Sequence, residues 1–181
     1  MKKALLILAD GFEEVEAIFP CDLLRRAGAQ VDLACVSGPC AKGSHGIEIK
    51  GCISIEDAHG PYDLVIIPGG MPGASNIASS WPANKAIVEA SAQGAIIASI
   101  CASPAVVLGP LGLLDGHKAT CYPGMGQAYP AFQFSSSRLV EDGKLITASG
   151  PGAAEEFGLA LVKALFGESA AQKMRRDIQA R

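Results

Sequence analysis

Short apolar runs alternate with segments of helical spacing along most of this chain, and that alternation limits the folds it can adopt. Predicted strands, most of them continuously apolar, span residues 3–9, 30–36, 62–67 and 95–100. Predicted helices span residues 13–27, 82–93, 153–166 and 169–178. Continuous apolar strands are typical of parallel sheets that helices cover on both faces. The pattern therefore predicts an α/β fold with a doubly wound, mostly parallel sheet.

The segments between these elements carry weaker signals. Apolar and polar residues alternate through residues 47–49 and 53–55, and Lys50 and Gly51 separate the two segments, so we predict a small edge hairpin. Asp142 and Gly143 form a favoured turn pair that predicts a second hairpin. The remaining predictions are strands of that hairpin at residues 139–141 and 145–147, a loop at 37–46 and a short strand at 118–121.

Length and charge narrow the class of protein. A chain of 181 residues fits one domain, which we expect to span residues 1–181. The formal net charge is -3 and charged residues make up 18% of the chain, so there is no basic surplus for nucleic acid. No apolar run reaches the roughly 20 residues that span a bilayer, and acidic residues stand where a signal peptide would be cleaved. We expect a cytoplasmic protein with a small neutral or carbonyl-type ligand, and no nucleic acid or membrane partner.

The cysteines do not form a metal or disulfide pattern. They lack any Cys-x-x-Cys pair, and the three histidines add no ligand spacing typical of zinc. Scattered thiols in a core-forming chain are typical of a reduced protein. We therefore expect no metal site and free thiols at Cys21, Cys35, Cys40, Cys52, Cys101 and Cys121.

The segment from Gly94 to Pro104 runs from a predicted strand directly into Cys101. Small residues and a proline follow at once, which is typical of a nucleophile elbow, the tight strand-to-helix turn that presents a reactive side chain. The free N–H groups and the dipole of the helix would favour a thiolate there. The alternative is a structural cysteine at the edge of the core, because cysteine is among the most often buried residue types.

A second loop could serve Cys101 at the same edge of the sheet, where doubly wound proteins bind their ligands. Gly69 and Gly70 follow the predicted strand at residues 62–67. Their backbone can turn an N–H toward a ligand oxygen, as one half of an oxyanion hole whose other half is the amide of Ala102. An ordinary tight turn is the alternative.

Three glutamates begin the first predicted helix, where the dipole favours carboxylates. We interpret Glu13 and Glu14 as simple capping residues. Glu16 points in another direction and has apolar neighbours, so we expect an inward, desolvated carboxyl with a raised pKa. A protonated carboxyl of this kind could hydrogen-bond a thiolate and move protons. Capping is the alternative for Glu16 as well.

Taken together, four segments closely resemble the ThiJ/PfpI superfamily and, more narrowly, its DJ-like branch of parkinsonism-associated deglycases and glyoxalases. They occur in the family's order and spacing as ADGFEEVEAIFPCDLLRRAGAQV, YDLVIIPGGMPGASNI, IIASICASPAVVL and LITASGPGAAEEFGLALVKAL. The resemblance covers nearly the whole chain. It implies a flavodoxin-like α/β domain of the class I glutamine amidotransferase type, usually a homodimer that works without a cofactor. It also implies that Cys101 is reactive, with Glu16 as its carboxyl partner and the amides of Gly70 and Ala102 as the oxyanion site.

The chain departs from the family pattern at several positions. Relatives of the peptidase branch have a histidine directly after the cysteine, where this chain has Ala102. Many relatives of the deglycase branch have a histidine where this chain has Tyr122, so Glu16 would carry most proton transfer, with Tyr122 donating a hydrogen bond. His45 stands in the loop where some relatives place an anion-binding arginine; it is either a substrate contact or a solvated loop residue. Cys121 is either a resolving thiol or a structural one.

The sequence leaves three candidate functions open. The first is a glyoxalase or deglycase that acts through Cys101 on 2-oxoaldehydes such as methylglyoxal, or on their early adducts with proteins. The second is an oxidative-stress sensor or chaperone in which the same cysteine is oxidised. The third is a peptidase or amidotransferase-like hydrolase, which the residue at position 102 disfavours. We expect Gly69, Tyr122 and His45 to be secondary contacts of the site.

Overall fold

The computed structural model describes residues 1–180, and a seven-stranded sheet forms its centre. The strands of the chain are β1 (Lys3–Leu8), β2 (Gln30–Cys35), β3 (Cys40–Lys42), β4 (Glu48–Lys50), β5 (Ile53–Ser54), β6 (Leu64–Ile67), β7 (Ile96–Ile100), β8 (Leu139–Asp142) and β9 (Leu145–Ala148). The large sheet has the order β5-β2-β1-β6-β7-β9-β8. All neighbours pair in parallel except β8 and β9, which are antiparallel.

Helices cover both faces of this sheet. They are α1 (Glu14–Arg26), α2 (Gly73–Ala78), α3 (Trp81–Ala92), α4 (Ala154–Phe166) and α5 (Glu168–Asp177). Helices α1, α4 and α5 contribute to the core on one face, while α2, α3 and the helical turn Pro104–Leu108 contribute to the core on the other. The predicted doubly wound, flavodoxin-like fold is thereby confirmed. Of the helices in residues 1–180, none has both the length and the apolar character that crossing a bilayer requires.

Strand β1 shows why the apolar runs predicted this architecture so well. Leu6 and Leu8 contribute to one core while Leu5 and Ile7 contribute to the other, and all four are buried. A strand with helices on both faces has no solvent side, so its sequence loses the polar alternation of a half-exposed strand. The carboxyl ends of β1, β6 and β7 therefore lie side by side at one edge of a fully covered sheet.

The edge hairpin predicted at residues 47–49 and 53–55 is wrong. Strand β4 instead pairs with β3, which lies within the predicted loop at 37–46, and β5 joins the large sheet beside β2. A turn at Gly43–Gly46 closes the β3–β4 hairpin, since the Gly43 amide donates to the Ile47 carbonyl (2.8 Å). The signal for β3 is a single buried side chain, Ala41, among glycines and serines, which is too short a pattern to distinguish from a loop.

A strand at residues 118–121 is also not formed. Thr120 makes only an isolated bridge with Ser135, and its amide donates to the Thr147 side-chain oxygen (2.9 Å) instead of extending a ladder. The hairpin around Asp142 and Gly143 is confirmed, because β8 and β9 pair with Asp142 opposite Leu145.

Candidate active site

Cys101 lies at a sharp turn directly after β7. Its φ of 65° is in the left-handed region that residues with a side chain rarely adopt, as expected of a nucleophile elbow. Two backbone hydrogen bonds hold the turn: the Cys101 amide donates to Ala148 (2.9 Å), and its carbonyl accepts from the amide of Tyr122 (2.8 Å). The residue is half-buried, and a strained backbone of this kind is typical of functional sites.

Glu16 comes from the first turn of α1 and is fully buried. Its Oε2 accepts a hydrogen bond from the Gly69 amide (2.8 Å), and its carboxyl faces the thiol of Cys101. Within residues 1–180, Oε1 has no partner that meets hydrogen-bond geometry. A buried carboxyl oxygen without a fixed partner is free to take a proton or to contact a bound substrate.

The two groups ionise as one pair. Burial raises the pKa of Glu16 to about 7, although the hydrogen bond from Gly69 opposes that rise. Burial and the negative charge of Glu16 raise the pKa of Cys101 to about 12. A proton on Glu16 removes that charge, so the thiolate expected from the sequence depends on protonation of the carboxyl. The helix terminus alone does not produce it.

Two backbone amides face the sulfur of Cys101. The N–H groups of Gly70 and Ala102 both donate toward Cys101 Sγ and lower its pKa against the effect of burial. Gly70 has a φ of +88°, a conformation that glycine adopts without strain. Glu16 faces the same thiol. The structure thus brings together Cys101, Glu16, Gly70 and Ala102, which the sequence analysis predicted as nucleophile, carboxyl partner and oxyanion contacts.

Gly69 has a different role from the substrate contact we expected. Its amide is bound to Glu16, and its Cα lies so close to the elbow that a Cβ would stand 2.5 Å from the Cβ of Cys101 and 2.8 Å from Glu16 Oε2. Only glycine fits between these two side chains without displacing one of them. Gly69 therefore sets the spacing of the pair.

His45 pairs with Glu14 and lies on the surface. Its backbone amide donates to Glu14 Oε1 (2.7 Å), and its Nδ1 lies 2.9 Å from Glu14 Oε2. The hydrogen bond with Glu14 raises the pKa of His45. The structure therefore does not bring the imidazole to Cys101, and it gives His45 a part in holding the β3–β4 hairpin.

The interpretation of Glu14 as a simple cap is wrong. Its carboxyl is buried and accepts hydrogen bonds from the amides of His45 and Ile47, which lie 31 and 33 residues further along the chain. Glu13 stands at the N-cap position, but its side chain makes no capping hydrogen bond, so the capping interpretation of Glu13 is wrong as well. Burial alone would raise the pKa of Glu14, but hydrogen bonds from His45 and the amide of Ile47 lower it to about 2. The turn of the β3–β4 hairpin is thus fixed to the start of α1. In the sequence, a glutamate at a helix start looks like a capping residue, and nothing in it indicates a contact with the distant segment at residues 43–47.

Glu13, Glu14 and His45 are also the one group of three potential metal ligands within the described residues, with ligand atoms that lie within 4.8 Å of one another. Hydrogen bonds from Ser44 to Glu13 (3.2 Å) and from His45 to Glu14 already account for this arrangement. The cluster therefore needs no ion to explain it.

Tyr122 and Cys121 flank the elbow. Tyr122 contributes its backbone amide to the Cys101 carbonyl, and its half-exposed ring lies close to Gly150. Cys121 is buried, and its thiol lies 3.5 Å from the Tyr122 carbonyl. Burial raises the pKa of Cys121, which favours the structural role over that of a resolving thiol.

A cavity of about 740 Å³ opens beside this segment. Its walls include Cys121, Phe134, Arg138 and Ser149. Neither Cys101 nor Glu16 lines it. Its position next to the carboxyl end of β9 makes it a neighbour of the elbow, and the reacting groups themselves lie outside it.

Ser103 is a site residue that the sequence reasoning missed. Its side chain is fully buried, and its Oγ donates to the carbonyl of Pro68 (2.6 Å), directly before Gly69. The available signal was a hydroxyl within an otherwise apolar elbow segment. A buried hydroxyl needs a partner, which is reason enough to ask what it holds.

Comparisons with known proteins identify the family to which this chain is similar. The model of the DJ-1/PfpI family matches residues 2–164. The Parkinson disease protein 7 homolog of Danio rerio is 37% identical over 183 residues, which cover 98% of this chain and 96% of that protein. The glutathione-independent glyoxalase DJR-1.2 of Caenorhabditis elegans is 32% identical over 170 residues, 92% of this chain and 90% of that protein.

The solved structures agree with these matches. The structure of oxidized Toxoplasma gondii DJ-1 superposes with a TM-score of 0.93 at 38% identity, covering 99% of this chain and 98% of that one. Drosophila melanogaster DJ-1beta superposes with a TM-score of 0.90 at 33% identity, covering 99% and 98%. With a family model that matches most of the chain, relatives above 30% identity over almost its full length and the same fold, the protein belongs to the DJ-1/PfpI family.

Proposed function

We propose that this protein is a cysteine-dependent glyoxalase that converts small 2-oxoaldehydes such as methylglyoxal into 2-hydroxy acids without a cofactor, and that it also accepts their early adducts with thiols and amines. The observation that carries the proposal is the pairing of the buried Glu16 carboxyl with the half-buried Cys101 thiol, toward which the amides of Gly70 and Ala102 are directed. The name of the Caenorhabditis elegans relative, a glutathione-independent glyoxalase, supports this class of reaction.

The first step joins the thiol to the aldehyde. Glu16, whose pKa of about 7 suits a proton acceptor and donor at neutral pH, takes the proton of Cys101. Sγ then attacks the aldehyde carbon, and the carbonyl π bond becomes an oxyanion that the amides of Gly70 and Ala102 stabilise. Protonation of that oxygen by Glu16 gives a hemithioacetal and returns the carboxylate.

The second step moves hydrogen within the substrate. Glu16 removes the proton from the former aldehyde carbon and delivers it to the neighbouring ketone oxygen, which gives an enediol. Glu16 then removes the hydroxyl proton of the first carbon and returns a proton to the second carbon. The first carbon is thereby oxidised to a thioester while the second is reduced to an alcohol, so no external electron carrier is needed. Water then cleaves the thioester, releasing lactate from methylglyoxal and regenerating the Cys101 thiol.

The direct test measures lactate from methylglyoxal with the wild-type protein, Cys101→Ala and Glu16→Gln in parallel. We expect lactate formation above background for the wild type alone. Cys121→Ala is the matched control, since it removes a neighbouring buried thiol that the mechanism does not use. A wild-type rate no higher than that of Cys101→Ala would reject the proposal.

A second candidate is a sensor of oxidation. The amides that would hold an oxyanion could also hold the oxygens of a sulfinate on Cys101, with a protonated Glu16 as a further donor. The similarity to a structure of oxidized Toxoplasma gondii DJ-1 favours this candidate. Mass spectrometry after mild peroxide distinguishes the two functions, because selective addition of two oxygens to Cys101 in a protein without lactate-forming activity supports the sensor.

A further inference from the structure

The peptide group between Pro68 and Gly69 is bonded at both of its polar ends. Its carbonyl accepts the hydroxyl of Ser103 (2.6 Å), and its N–H donates to Glu16 Oε2 (2.8 Å). Carbonyl and N–H belong to one rigid plane, so fixing one end fixes the direction of the other. Both contacts are between fully buried side chains and a buried loop, where an unpaired group is unfavourable.

We infer that Ser103 is a positioning residue, which holds the Pro68–Gly69 peptide in the orientation that aims the Gly69 amide at the Glu16 carboxylate. Ser103 follows Cys101 by two residues, so the segment that carries the nucleophile also orients the donor of its carboxyl partner. The inference deepens the proposed function and concerns the same site. The quantity that Ser103 should affect is the pKa of Glu16, which can be measured whether or not the protein forms lactate.

Loss of the hydroxyl should change that affinity in one direction. Without Ser103 Oγ, the Pro68 carbonyl is left buried and unpaired, which favours rotation of the peptide toward another partner. The Gly69 N–H then no longer stabilises the carboxylate of Glu16. Because this hydrogen bond lowers the pKa of Glu16, its loss raises the pKa.

The experiment titrates Glu16 by carbon-13 NMR of labelled glutamate carboxyls in a Cys101→Ala background, which removes the coupled thiol. Ser103→Ala in that background should raise the pKa of Glu16 by about one unit, a tenfold loss of acidity. Ser103→Thr keeps the hydroxyl and should restore the lower value. A folded Ser103→Ala protein with an unchanged Glu16 titration overturns the inference.

Ser99→Ala is the matched control. Ser99 is equally buried, lies two residues before Cys101, and its Oγ has no hydrogen-bond partner among the described residues. It should leave the Glu16 titration unchanged, and an equal shift in this variant would also overturn the inference. If Ser103→Ala does not fold, Ser103→Cys, with a weaker donor, must raise the pKa in the same direction. Absence of lactate from the wild type would reject the glyoxalase alone, since the titration does not depend on turnover.

Discussion

Burial of the Glu16 carboxyl opposes folding wherever that carboxyl is ionised. Its pKa rises from 4.5 to about 7 in the folded protein, so its favourable contribution is complete below pH 4.5 and is lost as the pH rises through 7. A shift of this size corresponds to about 3 kcal/mol. The side chain that the proposed chemistry needs is therefore one that folding alone would not select.

Replacement of Glu16 by Gln should remove this penalty. The free energy of unfolding of Glu16→Gln, minus that of the wild type, should increase by about 3 kcal/mol between pH 4.5 and pH 8, so the variant becomes the more stable protein. Urea denaturation at the two pH values measures the difference. Glu89→Gln, at an exposed site on α3, is the control that should show no such change. A relative stability that does not vary with pH would contradict the burial of an ionisable carboxyl.

At the same scale, activity should not tolerate a side chain at position 69. A methyl group there meets the Cys101 Cβ and the Glu16 carboxylate, so one of the two must move. We expect Gly69→Ala to fold but to lose roughly a hundredfold or more in lactate formation, because misplacement of about 1 Å has effects of that order. Steady-state assays and circular dichroism make the comparison. Gly152→Ala controls for the loss of a glycine, because its φ is ordinary and a Cβ there would meet nothing closer than 3.9 Å. Activity near that of the wild type in Gly69→Ala would refute the spacing role.

The β3–β4 hairpin shows how one carboxyl can hold an element. Glu14 accepts hydrogen bonds from the amides of His45 (2.7 Å) and Ile47 (3.4 Å), and its pKa falls to about 2. A lowered pKa means that this stabilisation is present above pH 4.5 and is lost as the pH falls through about 2. The raised pKa of His45 acts oppositely, because its contribution is complete below pH 6.5 and declines above its folded-state value.

We therefore expect Glu14→Gln to lower the free energy of unfolding by about 2 kcal/mol at pH 6. The hairpin amides should also exchange faster with deuterium than in the wild type. Glu13→Gln, one residue earlier, loses only side-chain contacts and should have a smaller effect. The difference between Glu14→Gln and the wild type should close as the pH falls from 4.5 toward 2. A constant difference across that range would show that Glu14 acts through packing rather than charge.

Elements with strong local patterns were predictable, and those defined by distant partners were not. The apolar runs of β1 and β7 carry their own evidence of burial on both faces. Strand β5 has two residues, and its place beside β2 depends on a partner about twenty residues away. The same holds for the candidate site. The elbow at Cys101 could be predicted because its signal lies in adjacent residues, whereas the contact of Ser103 with Pro68 could not, because it joins residues 35 apart.

At the scale of the whole molecule, we expect a homodimer, as the resemblance to the family implied. Val15 and Ile18 are 40% and 42% exposed on α1, and Ile47 is 54% exposed on the hairpin bound to the same helix. Apolar side chains grouped in this way favour contact with a second copy. Light scattering should give about twice the mass of one chain.

The variant Ile18→Glu should shift that equilibrium to the monomer, because a charge in an apolar interface loses its hydration. Val88→Glu, a similarly exposed position on α3, is the control and should remain dimeric. A wild-type protein that stays monomeric at micromolar concentration would contradict the expectation. Dissociation by Val88→Glu instead would place the interface on the opposite face.

The site also depends on the pairing of three separate strands of the sheet. Glu16 and Gly69 are 53 residues apart, and Cys101 lies on a third segment, so the pair and its amides come together only when these three segments have folded against one another. Until β1, β6 and β7 have paired, Cys101 is an ordinary thiol with a pKa of about 8.5. Cys101 of a nascent or misfolded chain would therefore react as any exposed cysteine does, and the proposed selective chemistry would begin only when the sheet has closed.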